Sequence, residues 1–186
     1  LFDTTLRDGG QTREVDYTVA DKQAIARALD EIGVDYIEGG WPGGNPTNDL
    51  FFVAPPALTR AKLVAFGMTR RPGRSADNDP GLAAILNVGT PANCLVGETW
   101  DPHVEVALEI DHDENLAMIA DSIAAAKGLE PMFYCEHFFD GYKANPEYAL
   151  ACARTAYEAG ARWVVLFDTN GGTLPSEIRE IVCKVR

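Results

Sequence analysis

The chain has 186 residues, 46% of them hydrophobic and 24% charged, a balance that is typical of a globular protein and excludes a disordered chain. Sixteen basic against 28 acidic residues give a formal net charge of −12, which disfavours nucleic acid as a partner. No apolar run reaches the roughly 18 residues that a membrane span needs. We therefore expect one domain with a sizeable core and no membrane partner.

The cysteines indicate the compartment in which the protein folds. They are Cys94, Cys135, Cys152 and Cys183. Since no two form a CxxC pair, we expect four reduced, buried thiols in a cytoplasmic protein rather than disulfides or a zinc cluster. No signal peptide is visible, but the chain opens at Leu1 inside an apolar run, so we expect that residues are missing before it.

Six short apolar segments alternate with longer amphipathic ones. The short segments begin near Leu1, Val34, Ala61, Pro91, Glu130 and Arg162. The longer ones carry helix caps and stops. Their predicted limits are Thr18 to Gly33, Asp79 to Gly89, a segment around Leu116 that stops near Gly128, Asn145 to Gly160, and the segment after Pro175. Such alternation indicates βα units and a parallel sheet.

Two architectures contain such units, the doubly wound open sheet and the (β/α)8 barrel. The units repeat about every 32 residues, and eight of them would give the roughly 250 residues of a TIM barrel. No GxGxxG follows the first strand, which disfavours a dinucleotide-binding open sheet. We predict an α/β fold over residues 1–186, a partial (β/α)8 TIM barrel with about six of eight units, truncated at both ends.

Catalytic groups of such barrels lie at the carboxyl ends of the strands. The first strand ends in Arg7 and Asp8, a cation beside a ligand for hard cations, although a surface ion pair is the alternative. The second ends near Glu38, which parity places on the inward face. A buried carboxylate needs a partner, and Arg7 is available; otherwise Glu38 is a loop acid in solvent.

The fifth strand gives the clearest parity argument. Met132, Tyr134 and Glu136 share one face, so Glu136 is expected in the barrel mouth beside a phenol. Cys135 then lies among the outer helices. His137 is an acid/base group, a metal ligand or, the interpretation we favour, a loop residue.

Two further sites remain open. The Thr169 hydroxyl at the end of the sixth strand can orient a carboxylate or water, whereas Asp168 and Asn170 fit turn roles equally well. The basic cluster Arg70-Arg71-Pro72-Gly73-Arg74 either grips a phosphorylated or carboxylated ligand or is a solvated loop. We assign no chemistry to His103 and His112.

The strand-end residues are now recognisable. Asp3-Thr-Thr-Leu-Arg-Asp-Gly9 with Gln11 resembles the signature of the pyruvate-carboxyltransferase-like superfamily of metal-dependent acyl-CoA condensing enzymes and lyases. This group includes isopropylmalate, homocitrate and citramalate synthases and hydroxymethylglutaryl-CoA lyase. Four longer stretches are similar to the bacterial and archaeal citramalate synthases: YIEGGWPG (36–43), LVAFGMTRRPG (63–73), EHFFDGYKANPEYAL (136–150) and FDTNGGTLP (167–175).

The resemblance, with the strand-end arguments, assigns a role to each candidate. Catalytic roles fall to Arg7, Glu38 and Glu136, metal binding to Asp8, and substrate binding to Gln11, Tyr134, Thr169 and Arg70. The implied reaction is a Claisen condensation of acetyl-CoA with a 2-oxo acid, pyruvate giving citramalate in isoleucine biosynthesis. A divalent metal (Mg, Mn or Zn) polarises the keto acid, Glu136 is the base, and Arg7 stabilises the enolate.

The chain departs from the superfamily pattern at three places. The resemblance leads us to expect a lysine where Glu98 stands, and the His-x-His pair and asparagine of strands seven and eight have no counterpart. The alternatives are another synthase of the group (2-isopropylmalate, homocitrate), an acyl-CoA lyase or aldolase, or a catalytically inactive barrel fragment. Small-molecule substrates and a homodimer of the full-length parent are the expected partners.

Overall fold

The strands lie where the hydrophobic segments predict them. The computed structural model describes residues 1–185. Its strands are β1 (Phe2–Asp3), β2 (Tyr36–Gly40), β3 (Lys62–Met68), β4 (Ala92–Glu98), β5 (Glu130–Glu136) and β6 (Trp163–Leu166). Each begins within two residues of its predicted start.

The helices include two that the sequence analysis did not predict. The α-helices are α1 (Val19–Ile32), α2 (Pro46–Val53), α3 (Pro80–Leu86), α4 (His112–Ala125), α5 (Phe138–Ala144), α6 (Pro146–Glu158) and α7 (Pro175–Val185). The unpredicted ones, α2 and α5, have only eight and seven residues and therefore show little periodicity. Within residues 1–185, no helix combines the length and the apolar character that crossing a membrane requires.

Helix α1 shows how local sequence fixes the ends of an element. The hydroxyl of Thr18 accepts a hydrogen bond from the backbone N–H of Asp21, whose carboxylate accepts from the N–H of Thr18. This reciprocal pair satisfies donors that the first turn leaves free. The helix ends at Gly33, where φ is 87°, a conformation that glycine adopts without a Cβ clash.

The strand order decides between the two candidate architectures. The strands form one sheet in the order β1-β2-β3-β4-β5-β6, with parallel pairing recorded for β1–β2, β2–β3 and β5–β6. A doubly wound sheet would place β1 in the interior with strands on both sides. The predicted partial (β/α)8 barrel is therefore confirmed.

The residues of the chain cluster into two compact units, each with its own core. The first contains Leu1–Met68, Pro80–Cys94 and Gly128–Glu130, and the second contains the other described residues. Fully buried side chains of the first unit include Ile37, Phe51, Val64, Leu82 and Ile85; those of the second include Leu95, Ile119, Ile123, Phe133 and Phe138.

The cysteine prediction is confirmed for three residues and wrong for the fourth. Cys94, Cys135 and Cys152 are buried free thiols, whereas Cys183 is exposed on α7. Cys183 follows the buried Ile181 by two positions, about 200° around a helix, which places it on the opposite face. Burial raises the pKa of the Cys135 thiol, and that of Cys152 to about 12, so neither is an activated nucleophile.

Candidate active site

In the first unit, Arg7 and Glu38 form a close ion pair. Arg7 Nε donates to Glu38 Oε2 at 2.6 Å, and the Glu38 side chain is 0% exposed. The guanidinium carbon of Arg7 lies 4.1 Å from the centroid of the Phe66 ring. Glu38 is therefore the paired, inward carboxylate that parity predicts and not a loop acid in solvent.

A cysteine thiol also hydrogen-bonds to Glu38. Cys94 Sγ in β4 donates to Glu38 Oε1 at 2.9 Å, so both oxygens of the buried carboxylate are engaged. The sequence analysis missed this contact. All seven residues of β4 are buried, so the strand lacks the polar–apolar alternation that would have shown which way Cys94 points.

Asp8, the predicted metal ligand, lies beside this pair at the surface. Its side chain is 61% exposed and accepts from Arg7 Nη1 at 3.1 Å. A hard divalent cation takes several oxygen ligands, and Asp8 supplies one carboxylate. Among residues 1–185, no group of three or more His, Cys, Asp or Glu is arranged to hold a metal ion. The described residues therefore do not form a metal site by themselves.

Arg7 also lines a cavity of about 460 Å³ within the first unit. Gln11, a predicted substrate contact, lines the same cavity, together with Lys22, Trp41 and Asn48. Burial lowers the pKa of Lys22 to about 8, and its Nζ donates to Asn48 Oδ1 at 2.5 Å. The sequence analysis missed Lys22. Its position four residues before the buried Ala26, on one face of α1, was the available signal.

In the second unit, two glutamates lie at strand ends. Glu98 ends β4 and Glu136 ends β5, and the charge of Glu136 acts on the carboxyl group of Glu98. Burial and the neighbouring charge of Glu136 raise the pKa of Glu98 to about 7, while His103 acts in the opposite direction. His103 Nδ1 lies 3.2 Å from Glu98 Oε2.

Backbone contacts hold these strand ends in place. The hydroxyl and the N–H of Thr99 both donate to the carbonyl of Glu136, at 2.6 and 3.2 Å. The hydroxyl of Thr169 accepts from the N–H of His137 at 2.9 Å, so in this structure Thr169 positions backbone rather than a carboxylate. Asp168 accepts two hydrogen bonds from Thr173, at 3.1 and 2.7 Å, which is the turn role left open by the sequence.

The two faces of β5 agree with the parity argument. Tyr134 is buried with its ring centroid 4.7 Å from that of Phe167. Cys135 interacts instead with the thiol of Cys152 on α6, which places it on the face covered by a helix. The Tyr134 role in substrate binding stays a prediction.

The surroundings of Arg70 fit neither interpretation of the basic cluster, which were a ligand-binding group and a solvated loop. It is buried, and its Nε and Nη1 donate to Asp121 Oδ2 and Glu114 Oε1, each at 2.8 Å. Since two carboxylates already neutralise and orient the guanidinium, the structure argues against the predicted anion-binding role. Arg70 instead ties its loop to α4.

The sequence analysis assigned no chemistry to His103, which lies beside Glu98 in the structure. His103 stacks on Trp100 at 5.2 Å, and its ring centroid lies 4.2 Å from that of His137. His112 stacks on Tyr148 at 3.8 Å. No local motif joins His103 to Glu136, because 33 residues separate them along the chain.

Comparisons with known proteins show the family to which the chain belongs. The model of the HMGL-like family matches residues 1–186. The chain is 53% identical to (R)-citramalate synthase of Streptomyces coelicolor over 190 residues, which cover all of this chain and 36% of that protein. It is 48% identical to (R)-citramalate synthase of Sulfolobus acidocaldarius (97% of this chain, 35% of the relative) and 30% identical to 2-isopropylmalate synthase of Staphylococcus epidermidis (97% and 35%). The chain thus spans about a third of the length of these relatives.

Solved structures show the same fold at low identity. The hydroxymethylglutaryl-CoA lyase of Pseudomonas aeruginosa matches with a TM-score of 0.78 and 20% identity, over 99% of this chain and 62% of that one. An HMG-CoA lyase of Acinetobacter baumannii, solved with coenzyme A and 3-methylmalate, matches with a TM-score of 0.77 and 15% identity, over 99% and 61%.

Proposed function

Since this chain belongs to the HMGL-like family, we propose that it forms part of the catalytic barrel of an enzyme that condenses acetyl-CoA with pyruvate to give citramalate. The observation that carries the proposal is the fixed guanidinium of Arg7 at the cavity edge, locked by the buried Glu38. The identity of 48–53% with five (R)-citramalate synthases, against 30–34% with 2-isopropylmalate synthases, supports pyruvate as the 2-oxo acid.

The chemistry assigned to Arg7 follows from its surroundings. Removing a methyl proton from acetyl-CoA leaves an enolate, whose oxygen carries negative charge. A guanidinium that cannot turn away stabilises this charge without reorganising at the moment of reaction. Glu38 and Phe66 hold the guanidinium from two sides, so Arg7 is a preorganised cation.

Glu136 is the proposed base of the same reaction. Its backbone carbonyl accepts a hydrogen bond from the Thr99 hydroxyl at 2.6 Å, which supports its position at the end of β5. In the proposed step, Glu136 takes the methyl proton as the enolate forms, and the enolate carbon attacks the keto carbon of pyruvate. Hydrolysis of the thioester then releases coenzyme A.

We also propose a metal ligand, a pathway and an oligomeric state. Asp8 is the proposed contribution of this chain to a divalent metal site (Mg, Mn or Zn). We propose that the enzyme is a cytoplasmic acyltransferase of isoleucine biosynthesis and that it forms a homodimer.

A synthase assay on the full-length protein that contains this chain tests the proposal. Coenzyme A release is measured with acetyl-CoA and either pyruvate or a branched 2-oxo acid, and citramalate is identified by mass spectrometry. We expect a higher kcat/KM for pyruvate, loss of activity on chelation, and weaker metal binding in Asp8→Asn. The 186-residue chain alone is expected to be inactive. Preference for the branched acid, or cleavage of hydroxymethylglutaryl-CoA without synthesis, would overturn the proposal.

A further inference from the structure

Lys22 is a buried cation to which the proposed mechanism gives no role. It lies near the start of α1 and is 2% exposed. Its Nζ donates to Asn48 Oδ1 at 2.5 Å and lies 5.2 Å from the centroid of the Phe51 ring. Both neighbours are uncharged, so neither neutralises the ammonium group.

The described chain provides no counter-ion for this ammonium. Among residues 1–185, no carboxylate forms an ion pair with Lys22, and its pKa is lowered by burial without a contribution from a neighbouring charge. A buried charge without a counter-ion costs free energy. The surroundings of Lys22 therefore favour an anion that comes from outside the described chain.

Lys22 lines the cavity of about 460 Å³ in the first unit, which also has Arg7 in its wall. The charge of Arg7 is already offset by Glu38 at 2.6 Å and Asp8 at 3.1 Å. Asp16 lines the cavity as well, but it is exposed and within residues 1–185 it forms no ion pair with Lys22. Of the two cations in this wall, Lys22 is thus the one that the described chain leaves without a counter-ion.

We propose that Lys22 is an anion-binding residue of this cavity, and that its ammonium group hydrogen-bonds an oxyanion of the ligand, a carboxylate or a phosphate. The proposed function supplies one anion of each kind, since pyruvate carries a carboxylate and acetyl-CoA carries phosphates. The choice between these two sources rests on the proposed function. The anion site itself rests on the cavity and on the missing counter-ion.

The contact with Asn48 fixes the ammonium at the cavity wall. Asn48 lines the same cavity, and its Oδ1 accepts one of the three hydrogen bonds that an ammonium can donate. A Cβ atom at Gly40 would lie 2.5 Å from this oxygen and 3.0 Å from Lys22 Nζ, so the glycine makes room for the contact. The remaining two donors of Nζ are available to an oxyanion.

The protonation of Lys22 agrees with this role. Burial lowers its pKa to about 8, so the amine still carries its charge at neutral pH. The side chains next to Nζ on α2 are Asn48 and Phe51, neither of which titrates. An oxyanion in the cavity would favour the charged form and raise the pKa of Lys22 toward its ordinary value of 10.5.

NMR titration of the full-length protein that contains this chain, labelled with [¹³Cε]lysine, tests the site without an activity measurement. The parent shows Lys22 as the lysine with a pKa of about 8, and the signal is absent in Lys22→Met. Pyruvate, coenzyme A and pantetheine, the part of coenzyme A without phosphates, are added separately with Mg²⁺ present. Because the titration uses the parent, it does not depend on how Lys22→Met folds.

We expect pyruvate or coenzyme A to raise the pKa of Lys22 and pantetheine to leave it unchanged. A rise with pyruvate identifies a carboxylate as the bound anion, and a rise with coenzyme A alone identifies a phosphate. An unchanged pKa with both anions, or an equal rise with the uncharged pantetheine, would overturn the proposal.

Steady-state kinetics separate binding from a structural role. Lys22→Met removes the charge and keeps an unbranched apolar side chain, so the KM of the substrate that carries the anion should rise about 10–100-fold. The kcat should change little, because the contact is the same in the ground and transition states. The control is Lys127→Met, an exposed lysine that follows α4, which should change neither constant. Unchanged KM values for both substrates in Lys22→Met would also overturn the proposal.

The outcomes distinguish this proposal from the proposed function. A rise in the pKa of Lys22 with either anion, in a protein that makes no citramalate, would reject the function and keep the anion site. Synthase activity with an unchanged pKa of Lys22 would reject the anion site and keep the function.

Discussion

Glu38 and Glu98 stand at corresponding places in the two units and have opposite surroundings. Each lies near the end of a buried strand, and each is itself buried, with 0% and 7% exposure. Glu38 meets the guanidinium of Arg7 and the thiol of Cys94. Glu98 lies 3.2 Å from the His103 imidazole, and the charge of Glu136 contributes to its raised pKa.

The difference shows that burial alone does not determine the chemistry of a carboxyl group. Burial costs a charge its hydration at both sites, and the partner decides whether this cost is offset. The Arg7–Glu38 pair is balanced in charge and suits a fixed electrostatic role. At Glu98, burial and the charge of Glu136 instead raise the pKa to about 7, which favours the protonated form.

The largest effect is expected at Glu136, the proposed base. Glu136→Gln keeps the shape of the side chain and removes the proposed base, so turnover should fall by about 10²–10⁴-fold. The measurement is exchange of the acetyl-CoA methyl protons with solvent, with a 2-oxo acid that cannot condense. The control is Glu158→Gln, since Glu158 is an exposed residue at the end of α6. Exchange as fast as in the parent would reassign the base to another group.

Breaking the first pair tests its structural role. Arg7→Leu leaves the buried carboxylate of Glu38 without its cation, so the free energy of unfolding should fall by about 3–5 kcal/mol. Urea denaturation measures this loss. The double variant Arg7→Leu/Glu38→Leu removes both charges and should recover most of it. A loss below about 1 kcal/mol, typical of exposed pairs, would contradict the buried-pair interpretation.

The raised pKa of Glu98 should make the free energy of unfolding depend on pH. The pKa of Glu98 is about 7 in the folded protein against an ordinary value of 4.5, so the folded state holds a proton that the unfolded chain releases. Glu98 therefore lowers stability progressively as pH rises from about 4.5 to about 7, and the full cost remains above pH 7.

Glu98→Gln removes the titrating group and with it this dependence on pH. Between pH 4.5 and 7, the free energy of unfolding of the variant should increase relative to that of the parent, by at most about 1.4 kcal/mol per pH unit. Thermal or urea unfolding across this range measures the difference. A difference that stays constant with pH, as expected for Glu158→Gln, would mean that Glu98 has an ordinary pKa.

The smallest effect concerns the thiol of the first pair. Cys94→Ala removes the hydrogen bond to Glu38 Oε1 and should cost about 1 kcal/mol of unfolding free energy. Cys94→Ser keeps a donor and should cost less. The exposed Cys183→Ala serves as control and should change nothing. An equal loss in Cys94→Ser and Cys94→Ala would indicate that packing, not the hydrogen bond, matters at this position.

The sequence by itself determined the six strands and five of the seven α-helices described, together with their order along the chain. Caps such as Thr18 and stops such as Gly33 act on neighbouring backbone, so the limits of α1 are local properties. Strand parity also sufficed where a strand has one polar position among apolar ones. It placed Glu38 inward, with Arg7 as its partner, and Cys135 toward the helices.

Only the tertiary structure decided which polar groups meet across strands. Cys94 reaches Glu38 from 56 residues away, and its strand is buried along its whole length, so no alternation marks its direction. Arg70 is neutralised by carboxylates 44 and 51 residues away. The register and the loop paths that create such contacts depend on the packing of the whole sheet, whereas sequence periodicity reports only the face on which each residue lies.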